Sequence, residues 1–163
     1  MNKSFIALFF ITSIITTHTT LANSTINKLE NPITQGINHL GLTVSDLEKS
    51  TQFFTETLGW KVVGGYEDYP SKSVTDGKLF LTLWQVTNPT KKISFDRKNN
   101  VGLHHLALSI ASLDDLNTLY ERCKKTDGVT IEFSPEANGD GPTIHMMIKE
   151  PSGNRIEFAF TPK

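Results

Sequence analysis

His39 and His105 stand 66 residues apart, at the same place in two copies of one pattern: GINHLGLTVSDLEKSTQFF from Gly36 and GLHHLALSIASLDDLNTLY from Gly102. In this alignment Leu40 falls on Leu106, Leu42 on Leu108 and Leu47 on Leu113. A duplicated unit buries its apolar face against its twin, so two histidines at one repeat position belong near the axis relating the copies. Glu157 adds a carboxylate. It sits between Ile156 and Phe158 in an apolar terminal strand, where an acid must be exposed, paired or coordinating. Two imidazoles and one carboxylate (His39, His105 and Glu157) can hold one face of a divalent cation and leave the other open to substrate. Spacing alone equally allows two histidines satisfied within a core.

The C-terminal segment TIHMMIKEPSGNRIEFAF reads as a hairpin around Pro151-Ser152-Gly153. If Lys149 faces Arg155, then Met147 faces Glu157 and His145 faces the small Ala159, all on one side. A neutral imidazole at His145 can take a proton from a metal-bound oxygen, so Glu157 and His145 are the candidate catalytic residues, the alternative for His145 being a histidine hydrogen-bonded to a neighbouring strand or loop. His104 adjoins His105 in a predicted strand and is expected to point the other way, into packing or to the surface. Phe80, Thr82 and Trp84 share a face of the strand closing the first copy. With Met147 they are the candidate substrate pocket, although aromatic and methionine side chains in a sheet also make ordinary core.

The elements that position these residues follow the repeat. In the first copy strands are expected at 36–44, 60–66, 71–75 and 79–86. A helix with a Ser45–Glu48 capping box carries Leu47, Phe53, Phe54 and Leu58 and ends at Gly59. In the second, strands at 103–110, 129–133, 143–148 and 155–160 enclose a helix capped by Ser112, on which Leu113, Leu116, Leu119, Tyr120 and Cys123 share a face. Each copy is thus β-α-β-β-β, 36–86 and 102–160, joined by a polar linker at 87–101.

Residues 1–22 are read as a secretory signal peptide: Lys3, the apolar run FIALFFITSII, then Leu21-Ala22. The run is too short for a stable membrane anchor. Export implies a periplasmic or secreted protein, and residues 23–35 read as an extended lead-in. Removing the leader takes Lys3 from 16 basic residues and none from 17 acidic ones, so the net charge moves from −1 to 15 − 17 = −2. No basic run supports nucleic-acid binding. The lone Cys123 cannot form an internal disulfide and reads as a small buried thiol.

The segments NHLGLTVSDLEKSTQFFTETLGW, HHLALSI and EPSGNRIEF resemble the vicinal oxygen chelate superfamily, which includes glyoxalase I, bleomycin-resistance proteins, fosfomycin-resistance thiol transferases and extradiol dioxygenases. The resemblance implies an α+β fold of two βαβββ modules forming a half-open curved barrel around a central cleft, within one domain at 36–160. It also implies one divalent metal ion (Fe, Mn, Ni or Zn) on His39, His105 and Glu157, and a homodimer with modules paired within or across chains. A fourth ligand, a glutamate in glyoxalases, falls here on Phe80 or, with a two-residue shift, Thr82, and neither is a carboxylate. The expected function is a metal-dependent enzyme on a small molecule chelating through adjacent oxygens, by lyase/isomerase or dioxygenase chemistry. The alternative is a non-catalytic small-molecule binder.

Overall fold

A computed structural model describes residues 32–163, so the expected leader and residues 23–31 lie outside the described residues. The first copy comprises β1 (Leu40–Val44), α1 (Leu47–Gln52) continued by a π-helical turn (Phe53–Thr57), β2 (Lys61–Tyr66), β3 (Ser71–Thr75) and β4 (Phe80–Gln85). The second comprises β5 (Leu106–Ser109), α2 (Leu113–Cys123), β6 (Thr130–Ala137), β7 (Ile144–Lys149) and β8 (Arg155–Phe160). The strands form two four-stranded mixed sheets of the same order, β1-β4-β3-β2 and β5-β8-β7-β6, with the first strand of each copy parallel to its last. The duplication is therefore structural as well as sequential. The sheets are curved and open, and neither closes into a barrel. Among the described residues no helix is long and apolar enough to cross a membrane.

Each sheet turns one face inward. Leu42, Val44, Val74, Leu81 and Leu83 meet Phe53, Phe54 and Trp60, and they merge with Leu116, Leu119, Cys123, Met146, Ile148, Ile156 and Phe158 in one core. Burial pushes the Cys123 thiol up to about 12. On the outer face of the first sheet Gly41 and Thr43 on β1 are exposed between buried Leu42 and Val44, and Phe80 is 51% exposed.

Asp46, not Ser45, caps α1. Its Oδ1 accepts the Lys49 N–H at 3.0 Å, and the expected Ser45–Glu48 box does not form. The reason lies far away in sequence. The Ser45 N–H is taken by Ser152 Oγ at 2.9 Å, and the Ser45 carbonyl by the Gln85 amide at 2.8 Å. Thr51 and Thr55 then bond back to the carbonyls of Leu47 and Thr51, competing with the backbone ladder. The helix widens into the π turn and ends at Gly59, whose φ of +76° suits glycine. Ser112 caps α2 as expected.

The EPSGN turn between β7 and β8 fastens the two copies together. Glu150 is 1% exposed; its Oε2 accepts from Ser50 Oγ at 2.6 Å, and its Oε1 from Asn154 N and Nδ2 at 3.1 and 2.9 Å. Ser152 Oγ receives N–H groups from the entry to α1, and Asn154 Nδ2 donates to Thr43 O at 3.0 Å. On the outer face, the buried Arg155 donates to Glu132 across β7, with Nε at 3.1 and 2.9 Å and Nη2 at 2.7 Å. This hydrogen bonding is the chief cause holding the Glu132 carboxyl below its ordinary value, against a smaller desolvation effect.

Replacing Glu150 by leucine leaves Ser50 and the Asn154 donors without their acceptor. The expected loss is roughly 2–4 kcal/mol of unfolding free energy, read by denaturant melts, with Ser50→Ala costing about 1 kcal/mol. Because the folded value of Glu132 lies below the unfolded one, its contribution is present above the ordinary glutamate range and lost as pH falls through the lowered value. The stability gap between Glu132→Gln and the parent should therefore be widest near neutral pH and close in strong acid. A gap that stays constant with pH would contradict this.

Candidate functional site

The hairpin register is the expected one, with Lys149 opposite Arg155, Met147 opposite Glu157 and His145 opposite Ala159. It brings three of the singled-out residues together. Glu157 Oε1 lies 2.5 Å from His145 Nδ1, and Oε2 lies 2.9 Å from His105 Nε2. The side chains of Glu157 and His145 are 12% and 15% exposed, and that of His105 is 33% exposed, so the cluster reaches solvent at one side. The Phe133 ring packs on His145 with centroids 4.9 Å apart.

His104 departs from the expectation. It lies before β5, as His105 does and as His39 does before β1, so among the described residues His145 is the one histidine within a strand. Strict alternation does not apply ahead of the strand, and the rings of His104 and His105 meet, Nδ1 to Nδ1, at 2.8 Å. Arg155 Nη1 donates toward His104 Nδ1 at 3.2 Å and His104 O at 3.3 Å. Desolvation, then the Arg155 charge, hold His104 below the ordinary histidine value. A continuous polar chain results: Glu132, Arg155, His104, His105, Glu157, His145. Sequence reasoning missed the roles of Glu132 and Arg155 in it. The available signal was an arginine two residues before the glutamate, which strand alternation places on the same face.

His39 does not join this cluster. It is exposed, and its Nδ1 contacts Asn38 Oδ1 at 2.8 Å. Among the described residues no group of three or more histidine, cysteine or acidic side chains is placed to hold an ion. The donor types of His105 and Glu157 fit a divalent cation, with Nε2 and Oε2 converging, but a single chain brings together only two of the three expected donors.

Register decides the fourth position. Thr82 pairs with Gly41 on β1 as Glu157 pairs with Ala107 on β5, so Thr82, not Phe80, is the counterpart of Glu157. Its hydroxyl contacts Ser73 Oγ at 3.0 Å. Trp84 is the counterpart of Ala159, and it packs against Tyr66, stacked at 5.9 Å, and Tyr69 at 4.9 Å. Met147 is 4% exposed, so it packs instead of lining an open pocket: its register partner Phe133 lies beside it. A cavity of ≈ 280 Å³ runs from Gly41–Thr43 past Phe95 to His105 and Arg155. A larger one of ≈ 450 Å³, between Lys49, Glu56, Arg122 and Asp127, lies on the helical side with none of the clustered residues in its lining.

Comparison with known proteins agrees with this architecture. A lactoylglutathione lyase of Neisseria meningitidis is 30% identical over 127 residues, covering 74% of this chain and 86% of that protein. The metapyrocatechase of Geobacillus stearothermophilus is 29% identical over 125 residues, covering 75% of this chain but only 36% of that enzyme's length. The crystal structure of a glyoxylase/bleomycin resistance protein/dioxygenase domain from Frankia superposes with a TM-score of 0.66 at 25% identity, covering 80% of this chain and 94% of that one. Residues 36–158 match the family description Glyoxalase/Bleomycin resistance protein/Dioxygenase superfamily, and the chain belongs to that superfamily.

Proposed function

We propose that the chain is a divalent-metal-dependent enzyme acting on a small molecule that chelates through adjacent oxygens. The observation carrying this reading is the convergence of His105 Nε2 and Glu157 Oε2 at 2.9 Å on the open face of the second sheet. The third donor is His39 of a second copy of the chain. Within one chain His39 lies away from the pair, and Gly41 and Thr43 on β1 and Ala107 and Ser109 on β5 are exposed, so a homodimer that sets one sheet against the partner's other sheet completes the set.

His145 orients Glu157 by engaging Oε1, which leaves Oε2 free to face His105. With Nδ1 so engaged, His145 Nε2 is the atom left to exchange a proton with a substrate oxygen. A bound divalent metal would supply Lewis acidity toward neighbouring oxygens of the substrate. Thr82 at the place of a second carboxylate favours the three-donor, diol-cleaving branch over the isomerase branch, which needs a carboxylate base. Export by the N-terminal leader, into the periplasm or beyond, belongs to the same reading and sets the enzyme apart from cytosolic glutathione adducts.

His39→Ala and Glu157→Ala proteins should each lose bound metal and turnover. A doubly tagged mixed dimer of the two variants retains one intact site, so elemental analysis should recover about half of the parent's metal. No recovery in the mixed dimer would place all three donors in one chain. A parent protein that binds no metal, yet still binds a small ligand, would leave the sequestering function instead.

A further inference from the structure

We propose that Arg97, Lys149 and Arg155 form an anion pocket at the end of the second sheet, beside His105, which takes a carboxylate or phosphate group of a small molecule. That this group belongs to the substrate rests on the function proposed above. The pocket itself needs no metal.

Glu132 is satisfied by Arg155 alone, whose Nε and Nη2 give it three contacts of 2.7–3.1 Å. Two further cations nevertheless converge on the same carboxylate. Lys149 Nζ stands 3.6 Å from its Oε1, and Arg97 Nη1 stands 3.7 Å from that oxygen. Both are too far to hydrogen-bond to it, so their N–H groups stay available. Among the described residues neither ion-pairs with another carboxylate. Their side chains are 36% exposed for Arg97 and 43% for Lys149, so water screens their mutual repulsion only in part. Three positive charges around one negative charge leave two unmatched. The neighbouring Lys98 and Asp96 cancel one another. The Asp96 carboxylate is engaged within its own turn, by Asn99 Nδ2 at 2.6 Å and by the Lys98 N–H at 2.9 Å.

The excess charge faces a space. A cavity of ≈ 430 Å³ lies between linker residues 94–98 and the side chains of Lys149 and Arg155. It shares Phe95 and Arg155 with the cavity of ≈ 280 Å³ that reaches His105. The two therefore adjoin, with His105 at one end and the unmatched cations at the other. A guanidinium and an ammonium that converge in this way are the donors an oxyanion takes. A molecule that chelates a metal beside His105 would place an anionic far end, past Phe95, between Arg97 and Lys149.

Metal-free protein is titrated with inorganic phosphate and, separately, with acetate, at an ionic strength held constant with sodium chloride. NMR follows the Arg97 and Lys149 side chains and the backbone amides around them. Saturable binding of at least one probe is expected. It should weaken about 10-fold in Arg97→Gln and in Lys149→Gln, each of which deletes a charged hydrogen bond. Both side chains are partly exposed, so neither change removes core packing. Lys125→Gln removes the same charge on the helical side and should bind as the parent does. Absence of saturation, or equal weakening in Lys125→Gln, overturns the pocket. A protein that binds metal but shows no saturable anion binding would leave the function proposed above standing without it. One that binds the probe but never a metal would keep the pocket and lose its tie to catalysis.

Discussion

One buried carboxyl joins the halves of this molecule. Glu150 has almost no exposed surface, and each of its oxygens is satisfied by donors brought from different places: Ser50 on α1 of the first copy, and Asn154 in its own turn. A buried acid tolerates little displacement of its partners, because losing any of them exposes the desolvation cost. The start of α1 and the end of β1 are therefore held at fixed distance from the start of β8, a constraint reinforced by Ser152 and by the Asn154 bond to Thr43. Arg155 is the next residue, so the turn that joins the copies also sets where the polar chain on the outer face begins.

The duplicated copies share a frame and differ in what they place on it. On the second sheet the outer face carries His145, Glu157 and Arg155, with Glu132 at its edge. At the matching positions the first sheet carries Ser71, Thr82 and Phe80, with Trp84 where the second has Ala159. The small Ala159 leaves room for the His145 ring, whereas Trp84 fills its own position and gathers Tyr66 and Tyr69 around it. One face is polar and ionisable, and the other is aromatic and hydroxyl-bearing. The packing core, drawn from the opposite side of every strand, is shared by both copies.

How much of this was legible in the sequence depends on the range of the forces involved. The repeat gave the common sheet order, and the closing hairpin was legible to the residue because Pro-Ser-Gly fixes its turn and Ala159 sits opposite His145. The cap of α1 was misread because Ser45 is claimed by Ser152 and Gln85, contacts over 107 and 40 positions that no local pattern contains. His104 was misplaced because alternation holds only within a pleated strand, and the chain is not yet strand there. The 4% exposure of Met147 was illegible from its own strand, because its neighbour on β6 is Phe133 across an irregular register. The separation of His39 from the other donors was illegible for a further reason: hydrophobic periodicity says which face is buried and nothing about how two finished modules dock.

The burial of Cys123 reaches beyond packing. With its thiol pushed up to about 12, only about one molecule in 10⁵ carries a thiolate at pH 7. Disulfide exchange proceeds through the thiolate and requires access to it. The single thiol of this chain is thus buried and held in its protonated form, poorly placed for mixed disulfides or crosslinking to a second copy. A thiol so placed is kept from disulfide chemistry by the packing of α2 alone.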